Sequence, residues 1–123
     1  MAESFEDLII WRKAHKLMLR VYEITEKFPK TEFYNLTSQL RRAALSVCAN
    51  IAEAHGRHHY AETIHFLFNA RGSAEEVRSL LMAARDLSQV KLDPKTFEEL
   101  NLEYIGLIKG INGFIRSTKK KTS

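Results

Sequence analysis

Two stripes of side chains run along the segment Gln39-Leu-Arg-Arg-Ala-Ala-Leu-Ser-Val-Cys-Ala-Asn-Ile-Ala-Glu-Ala-His-Gly-Arg57 when it is drawn as an α-helix. At about 100° per residue, one stripe is apolar and suits a protein core: Leu40, Ala44, Val47 and Ile51. The adjacent stripe is polar: Gln39, Ser46, Asn50, Glu53 and Arg57. A solvated helix would not need this second stripe, so we interpret it as a structural polar network or a subunit interface, with Ser73 as a hydroxyl partner for Asn50.

Three further helices are predicted around this segment, and the four ranges are about 7–28, 36–55, 60–88 and 94–117. Ser4 and Asp7 form a capping box before the first helix, which stops at Pro29. Gly56 suits a left-handed cap at the end of the second helix. Asp93-Pro94 starts the fourth helix as N-cap and first helical residue. No segment has the pattern of a strand.

Four helices of this length with short connections predict an all-α, antiparallel up-down-up-down four-helix bundle over residues 1–118, followed by a basic flexible tail at 119–123. The 123 residues are enough to bury a core without disulfides or a structural metal. Cys48 is the only cysteine, which favours a packed thiol in a reducing compartment. There is no long apolar run and no basic signal sequence, so we expect a cytoplasmic protein with no membrane partner.

Apolar and small residues remain on two helices after the core faces are assigned. They are Phe68, Leu80 and Leu87 in the third helix and Gly106, Gly110 and Gly113 in the fourth. A helical glycine costs about 0.5–1 kcal/mol relative to alanine, so three on one face indicate close contact with another element. Tolerance of surface glycine is an equally good alternative. We assign these six positions to an oligomer face.

No catalytic or metal-binding constellation can be assembled by spacing. Four histidines cluster near the connection between the second and third helices: His55, His58, His59 and His65. Neither a helical His-x3-His pair nor a zinc-binding quartet of histidine and cysteine is present among them. Cys48 has no base at a suitable spacing, and no glycine-rich loop follows a strand. We therefore predict a protein that is not an enzyme and has no cofactor. An enzyme would have to use Glu53 in an open pocket.

Several short motifs occur in a specific order along the chain. They are Phe5-Glu-Asp-Leu-Ile-Ile-Trp11, Phe28-Pro29 with Glu32 and Tyr34, Leu36-Thr-Ser-Gln-Leu-Arg-Arg-Ala-Ala44, Asn50-Ile-Ala-Glu53 with Gly56-Arg57, and Phe66-Leu67 with Ala70-Arg-Gly-Ser73. In this order they resemble the small bacterial four-helix-bundle proteins whose founding members are encoded in intervening sequences of 23S ribosomal RNA genes. That family usually has proline and glycine where this chain has Cys48 and Ala54, so a kink in the second helix is expected to be missing.

The resemblance implies an assembly and classes of partner rather than an activity. Members of the family look like homopentameric rings, and the related accessory proteins of diversity-generating retroelements form basic pentameric barrels that bind nucleic acid and a reverse transcriptase. It therefore implies a homo-oligomer whose further partners are RNA or DNA, or another protein.

The charge of the chain agrees with a nucleic-acid partner. The net charge is +4 and the pI is about 9.3. The candidates for phosphate contacts are Arg41, Arg42, Arg57, Lys119, Lys120 and Lys121. Two alternatives stay open: the lysines form a solvated terminus, and the paired arginines bind carboxylates such as Glu53 or Glu75 across a subunit boundary. Stacking on aromatic side chains is not expected, because most aromatic residues fit core positions.

These observations predict an interaction scaffold that binds nucleic acid without reading its sequence. The alternative is a protein–protein adaptor with no nucleic-acid role.

Overall fold

The computed structural model describes residues 4–121 and consists of four α-helices joined by turns and short helical segments. The helices are α1 (Ile9–Thr25), α2 (Ser38–His55), α3 (Tyr60–Asp86) and α4 (Pro94–Lys120). No strand occurs among these residues, which confirms the all-α prediction. None of the helices in this range has the length and apolar character that crossing a membrane requires.

Each helix packs against the next one in the chain, and α1 also contacts α4, which closes the bundle. The connections between packed neighbours are short, so neighbouring helices run antiparallel. The N-terminus of α3 and the C-terminus of α4 consequently lie at the same end of the molecule. Residues 1–3 of the predicted bundle and residues 122–123 of the predicted tail lie outside the described residues.

Helix starts follow from local capping. Asp93 accepts a hydrogen bond from the Thr96 N–H at 3.0 Å, and Pro94 is the first residue of α4, as predicted. Ser4 instead caps a short 3₁₀ helix, Phe5–Asp7, by accepting from the Glu6 N–H at 3.3 Å. Extended backbone at Leu8 separates this turn from α1, and the Asp7 carboxylate accepts from Arg12 Nη2 at 3.5 Å, so the predicted capping box does not start α1.

Helix ends differ from the predicted ranges by two to three residues. The first helix ends at Thr25 instead of residue 28, and α3 ends at Asp86 instead of residue 88. The fourth extends to Lys120 instead of 117, so Lys119 and Lys120 belong to its last turn rather than to a separate tail. Lys121 is the C-cap residue of α4.

Gly56 ends α2 at the predicted place but in a different conformation. Its φ is −82°, so the predicted left-handed cap is wrong. The Gly56 N–H reaches the carbonyls of Ala52 and Glu53, and the right-handed turn simply continues into the loop. The left-handed conformation occurs instead at Lys91, with φ 52°, in the connection between α3 and α4.

Most of the connection between α1 and α2 is helical. A 3₁₀ turn at Lys30–Glu32 is followed by a π-helical turn at Phe33–Thr37, which runs directly into α2. The Glu32 carboxylate caps this turn by accepting from the Leu36 N–H at 3.4 Å. The turn leaves Tyr34 at the surface, 86% exposed.

The apolar stripe predicted for α2 is the centre of the core. Its four residues, Leu40, Ala44, Val47 and Ile51, are completely buried. Tyr104 of α4 is equally buried, and its hydroxyl has no hydrogen-bond partner. Cys48 is also buried, as predicted, and α2 continues through it without a break. Burial raises the pKa of the Cys48 thiol to about 11, because the thiolate would lose its hydration there.

Two of the three glycines predicted to contact another element pack on α1 of the same chain. A Cβ at Gly106 would lie 2.8 Å from Lys13 Nζ, and a Cβ at Gly110 would lie 3.0 Å from Ile10 Cγ2. At Gly113 the nearest atom would be Arg116 Nη2, at 3.7 Å. The packing of Ile10 of α1 on Gly110 accounts for that glycine without a second copy of the chain, whereas Gly106 meets only the flexible end of the Lys13 side chain.

Candidate nucleic-acid interface

A surface of cations and aromatic rings lies where the start of α3 meets the end of α4. Tyr60 and Phe68 on α3 are 46% and 39% exposed. Lys121 Nζ lies 6.0 Å from the centre of the Tyr60 ring, and Lys119 Nζ lies 5.6 Å from the centre of the Phe68 ring. We call these four residues, together with Arg71, the α3–α4 basic surface.

Arg71 fixes one edge of this surface. Its Nη1 donates to Asn112 Oδ1 on α4 at 2.8 Å, and its guanidinium carbon lies 4.8 Å from the centre of the Phe68 ring. Phe68 therefore has a cation from its own helix and another from α4 within cation–π distance. Arg71 joins the two helices through its hydrogen bond to Asn112.

Arg57 lies in the α2–α3 turn at the same end of the bundle. Its guanidinium stacks on Phe66, with the carbon 4.4 Å from the ring centre, and it forms an ion pair with Glu53 one turn earlier. Glu53 belongs to the polar stripe of α2, and its side chain is 52% exposed. The carboxylate offsets part of the Arg57 charge.

Arg41 and Arg42 do not belong to this end of the molecule. Arg41 and Arg57 are sixteen residues apart, which is about 24 Å along a helix. Arg41 Nε donates to Thr25 Oγ1 at 2.9 Å and its guanidinium carbon lies 4.6 Å from the Tyr22 ring centre, so its side chain is only 20% exposed. Its carboxylate neighbour within the chain is Glu26 at 4.0 Å. The Arg41 side chain therefore joins α2 to α1.

Arg42 is exposed in a shallow groove of about 330 Å³ beside Arg41. Phe33 and Leu45 also line this groove. The six candidates for phosphate contacts are thus divided: Arg41 and Arg42 lie far along α2 from the end that carries Arg57 and the three lysines. One extended ligand would have to run the length of the helix to touch both groups.

The polar stripe of α2 is a hydrogen-bond network at its centre. Ser46 Oγ and Ser73 Oγ lie 2.8 Å apart across α2 and α3. Asn50 Nδ2 donates to the Ser46 carbonyl at 2.9 Å and to Ser46 Oγ at 3.1 Å, so Asn50 reaches Ser73 only through Ser46. Gln39, at the start of the stripe, is exposed. The middle of the stripe links two helices of one chain, while its ends face solvent.

The apolar residues assigned to an oligomer face occupy different environments. Leu80 is half-buried and packs against the core, whereas Leu87 is exposed just after the end of α3. Phe68 belongs to the α3–α4 basic surface described above. The sequence analysis missed a larger apolar groove, of about 610 Å³, between α1 and α4, where Leu19 and Leu102 are exposed.

Residues 4–121 contain no group of three or more histidine, cysteine, aspartate or glutamate side chains placed to hold a metal ion. His65 is one of the four clustered histidines, and its Nε2 lies 3.4 Å from Asn69 Nδ2. The aromatic part of the α3–α4 basic surface was also missed, because Phe68 had been placed on an oligomer face. Its signal was the eight-residue spacing from Tyr60 to Phe68, which places both rings within about 80° on one side of α3.

Residues 6–113 match the family described as 23S rRNA-intervening sequence protein. The chain belongs to this family. A solved protein of unknown function from the S23 ribosomal protein family of Bacteroides thetaiotaomicron VPI-5482 has a similar structure, with a TM-score of 0.80 and 19% sequence identity. The similarity covers 88% of this chain and 96% of that one, and at this identity it shows the fold alone. Comparison with curated proteins found no match.

Membership of the 23S rRNA-intervening sequence protein family confirms the resemblance seen in the motifs of α1, α2 and α3. The match includes Arg57, Tyr60 and Phe68, and it ends at residue 113, before the lysines that complete α4. The half of the α3–α4 basic surface that α3 supplies therefore lies inside the region shared with the family, and the lysines lie beyond it.

Proposed function

We propose that this 23S rRNA-intervening sequence family protein is a non-enzymatic, self-associating helical scaffold that binds RNA or DNA without reading its sequence. The observation that carries the proposal is the collection of cations at one end of the bundle. Lys119 and Lys120 are in the last turn of α4, Lys121 caps it, and Arg57 lies in the adjoining turn. Several positive charges on one small surface can neutralise several phosphates at once.

The helix ends at this surface favour the same kind of ligand. A helix carries partial negative charge at its C-terminus, so lysines in the last turn of α4 are stabilised there. The N-terminus of α3 carries partial positive charge, and the side chain of its N-cap residue, His59, makes no capping hydrogen bond. Helix N-termini bind phosphate through their first backbone N–H groups in many proteins.

An apolar groove on a second face supports the self-association that we propose. Leu19 and Leu102 line the groove between α1 and α4, and an exposed apolar groove rimmed by charges such as Arg20 and Glu99 is typical of a protein contact. A homopentameric ring, as the family resemblance implies, would repeat the basic surface five times. Repetition raises the number of phosphates contacted, and hence the affinity for a long polyanion, without any new contact within one copy.

The test is a salt titration of binding to a structured RNA and to a duplex DNA, with the mass of the assembly measured in the same buffers. We expect an intact oligomer whose binding constant falls steeply as salt rises, because bound phosphates release counterions. Charge reversal of Lys119, Lys120 and Lys121 to glutamate should abolish most of this binding and flatten the salt dependence.

The matched control reverses Lys27, Lys30 and Lys95, three exposed lysines at the other end of the bundle. This control changes the net charge by the same amount and should retain most of the binding. If the intact wild-type oligomer binds neither nucleic acid at about 50 mM salt, where phosphate contacts are strong, the proposal is wrong. A protein–protein adaptor, with the apolar groove between α1 and α4 as its contact surface, is then the better description.

A further inference from the structure

Tyr60 and Phe68 are large aromatic side chains that the fold leaves partly in water. Both rings lie on one side of α3, and each lies beside a lysine contributed by α4. Most other aromatic rings of the bundle pack into or against the core, including Phe97, Tyr104 and Phe114. The α3–α4 basic surface therefore combines the two groups that single-stranded nucleic acids need, which are ring faces for bases and cations for phosphates.

The spacing of the rings suits a strand rather than one nucleotide. Tyr60 and Phe68 are eight residues apart, which is about 12 Å along α3. Stacked bases of one strand rise about 3.4 Å per step, so the two rings are separated by three to four such steps. A segment of about four nucleotides can therefore stack on both rings at once, which matches the smallest sites known for single-strand binding folds.

The lysines are placed to exchange their partners when a strand binds. Ammonium-to-ring distances of 5.6 and 6.0 Å lie at the outer limit of a cation–π contact, so these contacts are weak. A lysine has a flexible four-carbon stem, and its ammonium can move from the ring to a neighbouring phosphate while a base takes its place. Arg71 stays attached to Asn112 and keeps α3 and α4 in register during this exchange.

We infer that the α3–α4 basic surface selects single-stranded nucleic acid, with Tyr60 and Phe68 stacking on unpaired bases while Lys121 and Lys119 contact the adjoining phosphates. This inference rests on the proposed nucleic-acid binding and adds the class of ligand. A duplex offers the lysines its phosphates, but its bases are stacked on one another and cannot reach the two rings. Duplexes should therefore bind only through charge.

The experiment measures dissociation constants by fluorescence anisotropy for three probes with equal numbers of phosphates. They are a single-stranded oligothymidylate of about 12 nucleotides, an abasic strand of the same length, and a hairpin duplex. The wild-type protein should bind the oligothymidylate most tightly. Tyr60→Leu and Phe68→Leu should each weaken that binding about tenfold, because each removes one base–aromatic stack. Neither substitution should change binding of the abasic strand or the duplex.

Tyr34→Leu is the matched control, since Tyr34 is 86% exposed and lies in the turn before α2 at the other end of the bundle. It should leave all three dissociation constants unchanged. Equal affinity of the wild-type protein for the three probes would overturn the inference while leaving the proposed function intact. An equal loss of affinity for the oligothymidylate and the abasic strand in the Tyr60→Leu or Phe68→Leu variant would also overturn the inference. A lower assembly mass for Phe68→Leu would overturn it as well, because the ring would then be a subunit contact. Failure of all three probes to bind would instead contradict the proposed function.

Discussion

Gly110 illustrates how a single residue sets the distance between two helices. It faces α1, where a Cβ would lie 3.0 Å from Ile10 Cγ2, closer than an ordinary contact. Ile10 is half-buried, packs against the core and has little freedom to move away. Gly113, one turn later, would place its Cβ 3.7 Å from the flexible Arg116 side chain, which is an ordinary van der Waals contact. The two glycines therefore have different structural roles within one helix.

Alanine substitutions should separate these roles. Gly113→Ala should raise the free energy of unfolding by about 0.5–1 kcal/mol, because alanine loses less backbone entropy in a helix. The free energy of unfolding of Gly110→Ala should be lower than that of Gly113→Ala by about 1 kcal/mol, since the new methyl group strains the α1–α4 contact. Urea denaturation of the two variants and the wild type measures the difference. Equal stabilisation at both positions would mean that α1 and α4 do not approach as closely as described.

At the scale of the secondary-structure elements, α2 and α3 are joined by a short polar chain within a largely apolar contact. Ser46 and Ser73 are both half-buried, and Asn50 completes the chain from one turn further along α2. A buried polar group is stable only while it keeps its partners, so this chain favours one register of the two helices. Glu53 belongs to the same stripe but pairs with Arg57 at the surface.

Substitutions in this stripe should therefore have unequal effects. Asn50→Ala should lower the free energy of unfolding by about 1 kcal/mol, because it removes the two hydrogen bonds to Ser46. Glu53→Ala should change it by less than about 0.5 kcal/mol, since exposed ion pairs contribute little. Thermal or urea unfolding measures both. A larger loss for Glu53→Ala would show that its carboxylate is buried in the assembled protein, for example against a neighbouring subunit.

At the scale of the whole molecule, the core contains two groups that resist ionisation. Burial raises the pKa of the Cys48 thiol to about 11, and burial, followed by the nearby Cys48, raises the pKa of the Tyr104 hydroxyl above its ordinary value. An unfolded chain releases the thiol proton near pH 9, whereas the folded chain keeps it until about pH 11. The corresponding stability is complete below pH 9 and is lost as the pH rises through 11.

Ionisation of Cys48 should thus lower the free energy of unfolding by roughly 2 kcal/mol between pH 9 and pH 11, since each pKa unit corresponds to about 1.4 kcal/mol. Tyr104 should lower it further above pH 10, where the unfolded chain releases the phenol proton and the folded chain keeps it. The double variant Cys48→Ala, Tyr104→Phe should show a flatter dependence over this range. Tyr34→Phe, at an exposed tyrosine, serves as the control and should follow the wild type. Identical pH profiles for the double variant and the wild type would contradict the burial of the two groups.

Much of the fold could be predicted from local chemistry. The periodicity of α2 placed Leu40, Val47 and Ile51 in the core, and Asp93-Pro94 marked the start of α4, because side-chain spacing and capping act within one or two helical turns. The motifs of the first three helices also predicted the family. Helix ends were less accurate. The conformation of Gly56 and the extension of α4 to Lys120 depend on backbone hydrogen bonds and packing that residue types do not specify.

The candidate site required the packing of the four helices. From the sequence, Arg41, Arg42, Arg57 and the three lysines are equivalent cations, because net charge carries no information on position. In the bundle, Arg41 is attached to Thr25 while Lys119 and Lys121 meet Phe68 and Tyr60 across two antiparallel helices. Composition and periodicity were sufficient to predict a basic helical bundle, and the ordered motifs were sufficient to predict its family. Which cations share a surface, and which aromatic rings lie among them, depended on contacts between residues about fifty or sixty positions apart in the chain, and those contacts form only when the helices pack.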